Sequence, residues 1–370
     1  MKNGMYFPTD FDSILKRVDT IDPVRYARTR NFKDGAVTYL SPYISRGVIS
    51  LPQVVQKIKE KGYGYSHAEK LIQELAWREY FQRVLQARPD ADFRFLRQEQ
   101  ASPLRQGIPA AILEANTGIE AIDLAIRELY QTGYMHNHIR MYVASIVCNI
   151  GKCHWSVPAK WMYYYLLDAD PASNFCSWQW ICAAFSSKPY FANQENIDRY
   201  CHTKQAGTFL DVSYDDLSRM GVPATLESVK MPELDVIKNS SCNWELISDK
   251  PVLLYDIFNL DPLWHEGEDV NRVLILDTEL LSRLPISVSV IDFIVALSGN
   301  IPGIFVWQGT FQELQQKFPG AAFIFKEHPL HRYQGIQEER RWLFPEVSGY
   351  HSSFSAYWKK CQKHLKRLMA

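Results

Sequence analysis

The sequence predicts a mainly α protein in which a helical domain is followed by a small α/β domain with a parallel sheet. Two patterns carry this expectation. From about Asp22 to Tyr200, apolar residues recur at spacings of three and four, as in Val54 and Ile58 or in Ile119, Ile122, Ala125, Ile126 and Leu129, the period of a helix with a buried face. After about Tyr200 the short apolar runs Val252–Leu254, Val273–Leu276, Ile304–Trp307 and Ala322–Phe325 alternate with helical stretches, Val288–Leu297 and Phe311–Lys317. Strands that alternate with helices imply a parallel sheet.

Turn residues separate the elements of the first part: Pro42, Gly47, Pro89, Gly118, Gly133 and Gly151 each fall where one helical period ends and another begins. A polar stretch containing Asn239, Ser240, Cys242 and Asn243 reads as a linker. The expected division is therefore a helical domain over 1–210, a linker over 211–245 and an α/β domain over 246–370. A last amphipathic helix, Phe354 to Leu368, carries a basic tail that reads as a solvated face. The segment Gly299 to Gly303, "GNIPG", joins a helix to a strand and reads as a turn rather than a phosphate loop.

Composition narrows the function classes. The chain has 370 residues, 46% of them apolar, and a formal net charge of zero, which is enough to bury a core and argues against a uniformly basic nucleic-acid binder. The charge is uneven: Lys and Arg outnumber Asp and Glu by 25 to 20 over residues 1–210, and the balance reverses to 16 against 21 over 211–370. Seven cysteines without a C-x-x-C pair indicate neither a disulfide framework nor a zinc ribbon, and no metal is expected. There is no apolar run of membrane-spanning length and no signal segment, so a cytoplasmic protein without a membrane partner is expected.

Three motifs hold the candidate chemistry. In "ELAWREY", Glu74, Trp77 and Arg78 stand at i, i+3 and i+4 on one side of a helix. That is compatible with an exposed ion pair beside an aromatic. It is equally compatible with a binding lip in which Arg holds phosphate, Trp stacks a ring and Glu meets a polar edge. "TGYMHNHIRMYVAS" repeats the spacing with Asn137, Arg140 and Met141. An inward Arg needs a partner, and Asp168 and Asp170 of "LLDADPASNFCSWQW" are the obvious acceptors, with a buried Arg140–Asp168 pair expected. The two acids are not spaced as a general acid/base pair. With Asn174, Trp178 and Trp180 they suit the polar edges and walls of a pocket for a flat heteroaromatic ligand.

Together with "GAVTYLSPYISRGVIS" and "TGIEAIDLAIRELYQ", these runs, in this order, resemble the FAD-binding domain of the DNA photolyase and cryptochrome family over roughly Tyr26 to Phe191. The resemblance implies an all-helical domain holding FAD, with Tyr26, Thr38, Ser41 and Arg78 toward the diphosphate. It also implies Asn137, Arg140, Asp168 and Asp170 among the flavin-binding residues and Asn174 facing flavin N5. Glu74, Trp77, Asn137, Met141 and Trp180 would meet a flipped-out pyrimidine dimer, and Trp178 and Trp155 would relay electrons. The implied activity is that of a carbon–carbon lyase which splits cyclobutane dimers in damaged DNA under blue light.

Departures from the pattern qualify these implications. Ile112 stands where the family's third relay tryptophan is expected, so either another aromatic such as Trp161 or a nearby tyrosine ends the relay, or photoreduction is weak. His138 stands where dimer photolyases carry an Arg, which removes a fixed charge. The continuation "ANQENIDRYCHTKQAGTF" differs from the usual one. The family's α/β antenna domain normally comes first, whereas here an α/β segment follows, as a relocated antenna-like domain, a platform for a protein partner or a purely structural element. A cryptochrome-like photoreceptor without repair activity, and a degenerate module that binds FAD or DNA, are the alternatives.

Overall fold

The computed structural model describes residues 7–88, 97–101, 104–240, 244–247 and 249–369. Pro89, Cys242 and Asn243 lie outside them. The chain divides into two compact units drawn from interleaved segments: residues 1–6, 25–37 and 92–234 in the first, residues 7–24, 38–91 and 235–370 in the second. The helices Leu51–Glu60 and Tyr65–Ala87 include the Val54 and Ile58 repeat and the Glu74, Trp77 and Arg78 face, but periodicity does not say which unit they pack in, and both belong to the second unit.

The first unit is built from short helices, principally Glu120–Thr132, Asn137–Ser145, Ser156–Tyr165, Pro171–Ile181 and Gln194–Cys201. It is not purely helical, because β1 (Ile108–Pro109) pairs antiparallel with β2 (Val229–Lys230). The helix Asn137–Ser145 runs on into a π-helical turn, Ile146–Ile150. There Asn149 donates to the carbonyls of Ile181 (3.1 Å) and Tyr190 (2.7 Å), tying this turn to the end of Pro171–Ile181.

The second unit contains a five-stranded sheet of β3 (Val252–Tyr255), β4 (Asn271–Asp277), β5 (Ile304–Gly309), β6 (Phe323–Lys326) and β7 (Ile336–Glu338). The order is β5-β4-β3-β6-β7 and every pairing is parallel. Four of these strands are apolar runs in the sequence; β3 and most of β4 are buried on both faces, the pattern of a covered parallel sheet, whereas β5 and β6 are buried on alternate residues only. β7 has little apolar signal and exposes Ile336, as a short edge strand does. One face of the sheet packs Val252, Leu254, Val273, Ile275, Trp307, Phe323 and Phe325 with Phe311 and Leu314 of the helix Phe311–Lys317.

The long helix Tyr65–Ala87 and the last helix Phe354–Met369 pack together in this unit. Their contact is organised by Glu79, 1% exposed. Its carboxylate accepts from the backbone N–H of Leu343 and of Phe344 (2.8 Å) and from the Tyr357 hydroxyl (2.7 Å). Burial pushes this carboxyl up from its ordinary range, while those donors pull the other way.

Candidate functional site

The residues expected to form the site fall in both units. In the first unit the central feature is the Arg140–Asp168 pair. Gly133 ends Glu120–Thr132 in the left-handed region (φ 69°), and a Cβ there would lie 2.6 Å from Leu167 Cγ. Only glycine fits this close approach. The Leu167 N–H donates to the Gly133 carbonyl at 2.8 Å, which holds the next residue, Asp168, beside the helix that carries Arg140.

Arg140 donates through Nη2 to Asp168 Oδ2 (2.9 Å) and through Nε to the Met135 carbonyl (2.8 Å), with its guanidinium 5.6 Å from the Tyr134 ring centre. Asp168 is 8% exposed, and its Oδ1 has no hydrogen-bond partner among the described residues. A buried carboxylate oxygen left open is costly, so this arrangement is suited to a bound donor. Asn174 donates from Nδ2 to the Ala159 carbonyl at 2.9 Å, which fixes the orientation of its amide.

Asp170 has a task the motif reading overlooked. It is the N-cap of Pro171–Ile181, and its Oδ1 accepts from the Ser173 N–H at 2.7 Å. "DP" at a helix start is the signal for this, an Asp cap before a Pro at the first helical position. Asn137 is exposed and Met141 half-buried on Asn137–Ser145. Tyr26 lies on the helix Pro23–Thr29. Trp178 and Trp155 are each 3% exposed, and the ring of Phe175, one turn before Trp178, lies 6.2 Å from that of Trp155. Trp180 is half-buried, with its ring 6.2 Å from Tyr190.

His136 was not expected to matter and does. Its Nδ1 accepts from the His138 N–H at 3.2 Å and so caps Asn137–Ser145. A protonated ring cannot accept there, and burial, chiefly, with the charges of His138 and Arg140 lowers its pKa to about 4. A histidine whose folded pKa lies below its unfolded value stabilises the fold above pH 6.5 and loses that contribution as pH falls toward the folded value. We expect acidification from pH 7 to 4.5 to cost up to about 3 kcal/mol through this group. In His136→Asn, which keeps a capping side chain, chemical denaturation at the two pH values is expected to show a smaller loss.

His138 sits beside it with its ring 4.9 Å from Tyr200. Burial, then the charge of Arg30, lowers its pKa to about 4. The His138 ring is thus neutral at pH 7.

In the second unit, Thr38 is half-buried and Ser41 opens the short helix Ser41–Ser45. Arg78 Nη1 donates to the Ser45 hydroxyl at 3.2 Å. Glu74 pairs with Lys70 at 3.6 Å on the same helix. Trp77 is not an open wall: the Phe354 ring lies flat against it, 3.7 Å between centres and 11° between planes. One face of the indole is therefore covered by the last helix.

The C-terminal edge of the parallel sheet gathers further polar groups that the sequence did not single out. The strands run outward in both directions from β3, and such a sheet presents its ligand-binding crevice beyond the strand ends where the order reverses. Asp256 follows β3 and His328 closely follows β6. His331 Nε2 lies 3.3 Å from Asp256 Oδ2, with both side chains nearly inaccessible. The ring of His328 stacks on Phe258 at 4.0 Å, and burial holds its pKa well below the ordinary value. Among the described residues, no group of three His, Cys, Asp or Glu could hold a metal ion, and no helix is long and apolar enough to cross a membrane.

The helical segment holds an Arg–carboxylate pair with one open acceptor, chemistry that suits the polar edge of a flat cofactor. Residues 71–235 match the family model described as the FAD binding domain of DNA photolyase. Over that segment the chain is similar to the FAD-binding domain of DNA photolyase, and FAD is the cofactor that this likeness supports. The deoxyribodipyrimidine photo-lyase of Alkalihalophilus pseudofirmus is 27% identical over 218 residues, covering 58% of this chain and 46% of that protein. That of Streptomyces griseus is 34% identical over 149 residues, 40% and 32% of the two chains. Among solved structures, a Synechocystis cryptochrome aligns with a TM-score of 0.48 at 25% identity, covering 54% of this chain and 44% of that one. The chain spans less than half the length of these curated relatives.

The residues present fit the cofactor. Arg140, the open Asp168 oxygen and the oriented Asn174 amide supply a cation, an acceptor and a carbonyl for a heterocycle edged with N–H and C=O groups.

Proposed function

We propose that this protein is a photolyase-type flavoprotein that binds damaged DNA and splits cyclobutane pyrimidine dimers in blue light, a carbon–carbon lyase. The observation that carries the reading is the Arg140–Asp168 pair, its acid buried and one carboxylate oxygen left open. When bound and reduced, FAD supplies an electron on absorbing light. The chain's own residues bind, orient and shield. Arg140 and Asp168 hold the polar edge of the ring, with Asp170 close behind as helix cap, and Asn174 meets it with its amide. Tyr26, Thr38, Ser41 and Arg78 act toward the diphosphate and Asn137 toward the flavin. Glu74, Asn137, Met141, Trp77 and Trp180 receive the flipped-out pyrimidines, and Trp155 and Trp178 carry electrons inward.

A protein partner served by the α/β part of the chain and a cytoplasmic location complete the proposal. The test is to illuminate the purified protein with reductant and dimer-containing single-stranded or duplex DNA and to measure remaining dimers. Loss of dimers only in the light is expected. Bound flavin with no dimer loss would sink the repair reading.

The Phe354 ring against Trp77 favours a second reading, a cryptochrome-like photoreceptor that keeps flavin without repair. The two readings separate in Phe354→Ala. If Trp77 is a substrate wall, uncovering it adds a stacking face, and the affinity for a dimer-containing single strand is expected to rise about fivefold or more in fluorescence anisotropy. An unchanged affinity would leave Trp77 as packing and support the photoreceptor.

A further inference from the structure

Besides the Arg140–Asp168 pair, the first unit builds a stack of rings that ends at the surface. In "ANQENIDRYCHTKQAGTF" the helix Gln194–Cys201 closes at His202, which takes the left-handed conformation (φ 58°), where histidine and asparagine are enriched among non-glycine residues. The turn that follows is pinned. The Asp198 carboxylate accepts from the Thr203 hydroxyl (2.6 Å) and the Gln205 N–H (2.9 Å), and Gln205 donates from Nε2 to the Gly118 carbonyl (2.6 Å). Lys33 donates its N–H to the Tyr200 carbonyl at 2.9 Å, which holds Phe32 beside this helix end.

The His202 ring lies flat on Phe32, 5.6 Å between centres and 14° between planes, and its Nε2 meets Asp34 Oδ1 at 2.8 Å. One face of the imidazole is thus covered and one edge is bound, yet 53% of the side chain stays exposed, which leaves the other face to solvent. Phe32 in turn touches Tyr200 at 5.1 Å, and the Tyr200 ring stacks on His138 at 4.9 Å with the Arg199 guanidinium 5.4 Å from its centre. The surroundings are basic. Residues 25–37 hold Arg25, Arg28, Arg30 and Lys33 against a single acid, Asp34, and Arg28, Arg199 and Lys204 are exposed.

An oriented ring with one open face and cations around it suits an unpaired base with its phosphates. A base inside a duplex has both faces covered by its neighbours and cannot use such a ring. We propose that His202, backed by Phe32 and oriented by Asp34, is a stacking platform for an unpaired nucleotide, with Arg28, Arg199 and Lys204 taking neighbouring phosphates, so that the protein prefers single-stranded DNA. This rests on the DNA partner of the reading above but on neither flavin nor lesion. Because the ring is held before binding, little freedom is lost when a base docks.

The test is fluorescence anisotropy of the full chain, in the dark, with an undamaged labelled dT oligonucleotide and with the dA·dT duplex of the same length. The wild type is expected to bind the single strand more tightly. His202→Asn, which accommodates the left-handed backbone and removes the ring, is expected to weaken single-strand binding about fivefold or more and to leave duplex binding unchanged. His202→Phe is expected to restore most of the loss. Arg199→Gln is expected to lower the salt slope of single-strand binding by about 0.7. Circular dichroism checks folding, and His202→Gly, also at home in that conformation, repeats the test if His202→Asn fails to fold. Equal affinity of the wild type for both forms, unchanged single-strand binding in His202→Asn, or His202→Phe as weak as His202→Asn overturns the platform, even where dimers are lost in the light. Absent dimer repair with His202→Asn behaving as described overturns only the repair reading.

Discussion

Asp168→Ala is expected to release FAD and to lower stability by about 3 to 5 kcal/mol, the range for removing one partner of a buried ion pair. The reason lies in the pair itself. Arg140 is held by Asp168 Oδ2 and the Met135 carbonyl, and the alanine variant would leave a largely buried guanidinium with only a neutral acceptor. The open Asp168 oxygen, the flavin contact proposed above, would also be lost. Asp168→Asn separates the two effects: the shape is kept, the charge is removed, and partial flavin retention with a smaller loss of stability is expected. Flavin absorbance after gel filtration, with urea denaturation alongside, measures both. Full FAD retention in Asp168→Ala would remove Asp168 from the cofactor site.

Glu79→Ala is expected to be comparably severe and to act without touching FAD directly. The carboxylate satisfies two backbone N–H groups, those of Leu343 and Phe344, and the Tyr357 hydroxyl. Truncation leaves all three buried donors unpaired, at about 1 to 3 kcal/mol each before relaxation or entry of water. A net loss of about 3 to 5 kcal/mol in the denaturation midpoint is expected. Glu79→Gln keeps acceptors for part of the set and should fall between. A change under about 1 kcal/mol in Glu79→Ala would mean that the last helix does not depend on this anchor.

Why some of this was legible and some was not follows from range. The Arg140–Asp168 pairing could be anticipated because an inward guanidinium has few local ways to be satisfied and the acids stand in one short motif. The central strands β3 and β4 could be read because burial on both faces makes them nearly continuous apolar runs. The cover on Trp77 was not legible: Phe354 lies far along the chain, and nothing in "ELAWREY" distinguishes an indole that stacks a base from one that stacks a phenylalanine. The Asp170 cap carried its own local signal in the following proline, which the ligand reading of the motif overshadowed. The interleaving of the two units left no trace in helical periodicity, which reports that a face is buried but not against what. The Asp256, His328 and His331 cluster becomes visible only once strand order is known, because its members belong to separate strand ends.

The most direct measurement is the flavin content of the purified full chain, read by absorbance before and after incubation with FAD. Stoichiometric FAD in the wild type, lost in Asp168→Ala, is the predicted result. A folded wild-type protein that takes up no FAD under either condition would contradict the flavin site at Arg140 and Asp168, and with it the light-driven function proposed for it.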